Sequence, residues 1–167
     1  HDYPFFTGQE EHLKALVSDL TVLLSVVLLP TKTGARRAPK VYKHDLPVPQ
    51  MDDEDEDADA EDVTAPFVIV RATGGTFDDW SDLHHVGVAI IICTYDDTPD
   101  RQGTSDVLGV IERIYHRFAR CPDIGNFRAE VPISWALQDE TDTYPQYFGA
   151  MDMVFSCPGV RIEDPLT

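Results

Sequence analysis

The run Val86-Gly-Val-Ala-Ile-Ile-Ile92 constrains this chain more than any other stretch. A strand with one face in water alternates apolar and polar residues, whereas this run is apolar at successive positions. It therefore reads as a central strand over 85–95, covered on at least one side. A second β-branched run at 67–73 precedes it, and the two are joined by Gly74-Gly75-Thr-Phe-Asp-Asp-Trp-Ser-Asp-Leu83. The pair predicts antiparallel strands with a long hairpin tip, Gly74-Gly75 supplying turn chemistry.

The layer over the sheet is predicted from helical periodicity. Leu13, Leu16, Val17, Leu20, Leu24 and Val27 recur at three- and four-residue steps, giving a helix over 9–28 that Pro30 and Gly34 end. Val107, Leu108, Ile111, Ile114, Tyr115 and Phe118 trace a second helix over 104–120, with Thr104 or Ser105 as its cap and Pro122 beyond its end. Phe127, Ala129, Val131, Ile133 and Trp135 alternate with polar residues and Pro132, as in a half-exposed strand at an edge or a bulge. The last strand covers 147–157 with Tyr147, Met151, Met153 and Phe155 on one face, and a short strand is expected at 41–44.

These elements add up to an α+β fold in a single domain over 1–167. The expected form is an antiparallel sheet of four to five strands with two helices packed on one face, in the order α-(β)-β-β-α-β-β. Residues 31–65 read as an extended arm, basic and Pro-rich at first and then acidic.

Charge narrows the function. Net charge is -17, and residues 52–62 hold nine of the 30 acidic residues. Without that run the chain still has 21 acidic residues against 13 basic ones. Such a surface repels phosphate backbones, which argues against sequence-specific nucleic-acid binding yet suits a wall past which DNA slides. The three cysteines, Cys93, Cys121 and Cys157, have no C-x-x-C spacing and read as free thiols. The apolar stretch 22–29 is too short to span a membrane.

Reactive constellations are missing. The chain has no phosphate-binding glycine loop of the G-x-x-x-x-G-K-[ST] kind, no G-x-G-x-x-G, no G-x-S-x-G and no H-E-x-x-H. His84 and His85 beside Asp78, Asp79 and Asp82 have the ligand chemistry for a divalent ion. Neighbouring strand residues point to opposite faces, however, which separates the two imidazoles. The aspartates at 78, 79 and 82, like Asp96, Asp97 and Asp100, are the residues that turns favour. No cofactor, no metal and no catalytic residue is expected. The candidates for contact with a partner are Phe77 and Trp80 at the hairpin tip, the tip's Asp78, Asp79 and Asp82, and Tyr144 and Tyr147. Phe148 is expected in the core.

Taken in order, several segments resemble the tail terminator and tail-completion proteins of long-tailed bacteriophages. They are the Phe67-Val-Ile-Val-Arg71 strand after an acidic spacer, Thr94-Tyr95 closing the next strand, and Gly103 with Asp106-Val-Leu-x-x-Ile-Glu-Arg-Ile114 on the helix. Pro132 and Tyr144-Pro-x-Tyr-Phe-Gly149 continue the set, and Leu-Lys-Ala-Leu at 13–16 also fits. The basic, Pro-rich stretch at 31–50 and the extreme acidity of 52–62 depart from that pattern. The resemblance implies a non-enzymatic virion protein, assembled in the host cytoplasm, that forms a ring, usually of six subunits. Such a ring caps the tail tube and joins it to a head-side connector or stopper protein, with DNA passing through the lumen. The nearest alternative is a head-completion or stopper protein of the neck. Outside that class stand an acidic module that sequesters a basic partner and a metal-dependent hydrolase built on His84, His85 and the nearby aspartates.

Overall fold

The computed structural model describes residues 8–48, 64–77, 80, 83–139 and 142–158. The acidic run at 52–62 lies outside them.

The apolar run at 86–92 is the middle of the sheet. Its strand, β5 (His84–Tyr95), pairs antiparallel with β4 (Phe67–Phe77) on one side and with β9 (Gln146–Cys157) on the other, from Thr94↔Tyr147 through Ile90↔Met151 to Val86↔Phe155. This register puts Val86, Val88, Ile90 and Ile92 on one face beside Val68, Val70, Met151, Met153 and Phe155, all buried. Two helices cover that face, α1 (Gly8–Leu24) through Leu13, Leu16, Leu20 and Leu24, and α2 (Gly103–Arg120) through Val107, Val110, Ile111, Ile114 and Phe118. Each such side chain taken from water contributes about 1.5–3 kcal/mol, so this single layer accounts for most of the fold's apolar stabilisation. The opposite face has a smaller cluster of Ala65, Phe67, Ile69 and Cys93, flanked by half-buried Tyr42, Leu46, Ile91, Tyr95 and Phe148.

Around this centre lie shorter strands: β3 (Lys40–Lys43), β6 (Asp123–Ile124), β7 (Phe127–Ala129) and β8 (Ser134–Leu137). The seven-stranded sheet runs β3-β4-β5-β9-β7-β6, with β8 also paired to β9. Two further short strands, β1 (Leu29–Pro30) and β2 (Arg36–Arg37), form a separate ribbon. The chain is therefore α+β with two helices on one face of a mostly antiparallel sheet, as expected.

The finer expectations need correction. Among the described residues the sheet has seven strands rather than four or five, and β3 runs parallel to β4. The strand expected over 127–135 is broken at Pro132 into β7 and β8. Both segments pair with β9, and between them Val131 is 82% exposed. Proline has no N–H for a ladder, so the chain leaves the sheet there and returns.

The first helix ends at Leu24, not near residue 28, in a turn where Ser25 N donates to Val22 O and Val27 N to Leu24 O. Val27 continues the three-residue step from Leu24 and packs against the core although the helix has ended, which misleads a reading of periodicity alone. At the start of α2, neither Thr104 nor Ser105 is the cap. Gln102 occupies that position without a side-chain bond, and Asp96 Oδ2 accepts from the Gln102 N–H at 2.6 Å instead. Asp96 Oδ1 also accepts from Thr98 N at 2.9 Å and from the Thr98 hydroxyl. These bonds, the Thr98 hydroxyl's first, hold the Asp96 carboxyl below the usual carboxylate range. Among the described residues no helix is long and apolar enough to cross a membrane.

Candidate interaction surfaces

The exposed features of the molecule grow out of its central hairpin. β4 and β5 stay paired to Phe77↔His84, but the register slips between Ala72 and Gly74, leaving Thr73 as an extra residue. Gly74-Gly75 is thus part of a bulged strand and not a turn, a correction to the expectation. Gly75 lies so close to β5 that a Cβ there would run into the His85 carbonyl, which is why that position requires glycine. Beyond the bulge, residues 73–77 are all exposed.

At the tip Phe77 is 67% and Trp80 76% exposed, with Leu83 beside them also exposed. The Phe77 ring meets the His84 ring edge-on at 4.6 Å. The expected tip aspartates Asp78, Asp79 and Asp82 lie outside the described residues. Large apolar groups at the end of an arm are costly to leave in water and serve as anchors when a partner covers them.

Two strand edges accompany this tip. β3 stops opposite Val70, so the outer side of β4 over 72–77 has no partner strand among the described residues. Across the sheet β8 pairs with β9 and, among the described residues, with no other strand. Neither edge has a charged residue: one reads Ala-Thr-Gly-Gly-Thr-Phe, the other Ser-Trp-Ala-Leu. Trp135 on β8 is exposed. Proteins protect such edges with charge, most often lysine, and β3 is protected in that way by Lys40 and Lys43. The two unprotected edges lie on opposite sides of one sheet.

Tyr144 and Tyr147 sit at the other end of the sheet and are engaged within the chain. The Tyr147 ring packs against Gly103 at the start of α2, where any Cβ would collide with it. Arg101 Nε donates to Tyr147 Oη at 3.3 Å and Arg101 Nη2 pairs with Asp142 at 2.6 Å. The Arg101 guanidinium lies 4.8 Å from the Tyr144 ring centroid, and Tyr144 Oη donates to Asp97 O at 2.6 Å. A backbone N–H from Tyr144 and the Arg101 guanidinium hold the Asp142 carboxyl low. These contacts fasten the turn after β5 to the entry of β9. Tyr144 keeps an exposed edge; Tyr147 and Phe148 are half-buried, Phe148 against the smaller core cluster.

No group of three or more His, Cys, Asp or Glu among the described residues could hold a metal ion. Cys93, Cys121 and Cys157 are free thiols, and burial pushes the Cys93 thiol up to about 12.

One buried group was not singled out from the sequence. His12 is 2% exposed, and neither ring nitrogen has a hydrogen-bond partner. It is stacked on Phe127 at 4.1 Å and meets Phe155 edge-on at 4.4 Å. Burial pushes its pKa down to about 4. The signal was available, because His12 continues the four-residue step of Leu16 and Leu20 on the inward side of α1. Neither the scan against protein-family models nor the search of curated proteins finds a match to this chain, so function is read from its own residues.

Proposed function

We propose that this chain is a structural virion protein, a tail terminator that caps the tail tube of a long-tailed phage as a homo-oligomeric ring. The observation that carries the reading is the pair of uncharged strand edges on opposite sides of one sheet, at β8 and at β4 over 72–77. Unlike surfaces on opposite sides of a protomer join head to tail, and such contacts close into a ring when the rotation per subunit divides a full turn. Phe77 and Trp80 at the arm tip supply the apolar anchors that a neighbour or the tube protein covers.

The ring reading fits the charge. With a net charge of -17, a lumen walled by this chain offers DNA phosphates nothing to hold. Six subunits, a tube protein below and a connector or stopper above complete the proposal, and the protein acts by joining surfaces rather than by chemistry. Sedimentation velocity and native mass spectrometry, with and without the tube protein, test it. The expected outcome is one closed species of about six copies, seen as a ring by electron microscopy on tube ends. A chain that stays monomeric in the presence of tube protein sinks the reading.

A further inference from the structure

Basic side chains are scarce in this acidic chain, yet four nitrogenous ones gather along two turns of α2. A groove of about 560 Å³ between the end of α1 and the outer side of α2 is lined by Leu23, Arg113, His116, Arg117, Arg120 and Cys121. It continues past Arg113 and His116 into a second depression of about 380 Å³ that reaches Ser105. Asp106 and Glu112 line that second half, so the positive end lies towards Arg120.

The cations differ in what they already do. Arg117 is committed within the fold: it pairs with Asp19 at 2.8 Å and donates to the carbonyls of Cys121 and Asp123. Arg113 Nε donates to Leu23 O at 3.1 Å, which fixes the guanidinium while leaving its terminal nitrogens unengaged among the described residues. Arg120 and His116 have no ion pair or hydrogen bond there. Leu23 at the end of α1 adds an apolar group to the first depression, and Val27 and Leu29 add apolar groups to the second. Oriented guanidiniums beside apolar groups are the surface that takes an extended acidic peptide.

We propose that this groove docks the acidic run 52–62 of a second copy of the chain. The occupant is chosen by charge: nine carboxylates in eleven positions repel one another until cations are supplied, and the free cations of this groove supply them. A neighbour's run fits better than the chain's own. Thr64, just after the run, is held by Arg37 at 2.7 Å, and Asp45, shortly before it, faces Arg71 at 3.7 Å. Both ends are thus tied beside β3 and β4, whereas the cations of the groove are all on α2, which packs on β5 and β9. The proposal rests on the ring reading only for the presence of a neighbouring copy.

Cys121 lines the groove and is exposed, whereas Cys93 is buried, so the groove has its own reporter thiol. In full-length protein with Cys157→Ser, one chain bears Asp57→Cys with Cys121→Ser, and the other keeps Cys121 alone. Mixing the two and oxidising with copper–phenanthroline is expected to give disulfide-linked heterodimers on a non-reducing gel. Arg120→Gln, which removes a side chain without a hydrogen-bond or ion-pair partner among the described residues, should lower the yield about tenfold, as should Arg113→Gln. Salt at about 1 M, where the Debye length is about 3 Å, should abolish it. Absence of the cross-link overturns the proposal. So does a purely intrachain bond in a chain holding both Asp57→Cys and Cys121, or an Arg120-dependent loss of the link to a short DNA duplex, which would mark the groove as a phosphate site. Sedimentation of the same samples separates the two readings. Rings without the link sink the docking alone; linked dimers that never close sink the ring alone.

Discussion

One strand of this protein lives in two environments, and the contrast explains much of the molecule. Over its first half β4 puts Val68 and Val70 under the helices and Phe67 and Ile69 into the opposite cluster, all four buried. Past the bulge at Ala72/Gly74 the same strand, still hydrogen-bonded to β5, leaves residues 73–77 exposed and ends at Phe77. Backbone pairing is alike in both halves, so pairing does not distinguish them. Cover does: α1, α2 and β3 all stop short of the arm. A sheet can therefore be extended beyond its core as an uncharged surface whose stability is supplied by the covered half.

Substitutions that break this contrast should have very different effects on the two halves. In the covered half Ile90→Ala removes a fully buried side chain and is expected to cost about 2–5 kcal/mol, read as a fall in the urea midpoint. Nearly as large is the effect of pH at His12. Its folded pKa of about 4 lies below the ordinary 6.5, so the unfolded chain takes the proton first. The stabilisation is complete above pH 6.5, falls as the pH drops towards 4 and is flat below, a loss of up to about 3 kcal/mol. A His12→Phe variant should lose that slope and gain stability at neutral pH, since two unpartnered ring nitrogens leave the core. Equal slopes in the two proteins would show that another group is responsible.

The turn after β5 comes next. Asp96→Ala removes the carboxylate that caps α2 and should cost about 1 kcal/mol. Because the folded carboxyl is held low, its contribution is present above the ordinary carboxylate pKa and fades as the pH falls through the lowered value. That window lies below the one set by His12, so acid titration of the two variants tells them apart.

The exposed half should respond in the opposite sense. Trp80→Ser and Ser134→Lys, both at exposed positions, are each expected to change stability by no more than about 0.5 kcal/mol. Ser134→Lys, which charges the β8 edge, should prevent ring closure, and Trp80→Ser should weaken docking or ring formation. Loss of stability without loss of assembly would reverse the roles assigned to the two halves.

How far the sequence could be read follows the same division. Both helices and the last strand were legible because burial of one face imposes a period on apolar residues, and the central strand because its run is apolar at successive positions. The short strands were not. β1 and β2 have two residues each, β6 likewise, and such lengths contain no period. The parallel placement of β3 follows from its long-range partner, not from Lys-Val-Tyr-Lys itself. Of the contact candidates, Phe77 and Trp80 stand exposed, whereas Tyr147 proves to be tied into the fold through Gly103 and Arg101.

By itself, then, the amino-acid sequence determined that this chain folds as α+β around an apolar central strand, that its surface is strongly acidic, and that no familiar catalytic spacing is present. Those properties depend on composition and on local periodicity, which are fully present in one dimension. Only the tertiary structure decided that β4 outruns its cover, that two uncharged edges end up on opposite sides of one sheet, that Asp96 rather than Thr104 or Ser105 caps α2, and that His12 sits between Phe127 and Phe155. Each of these depends on which distant segment comes alongside, and that is settled by packing of the whole chain.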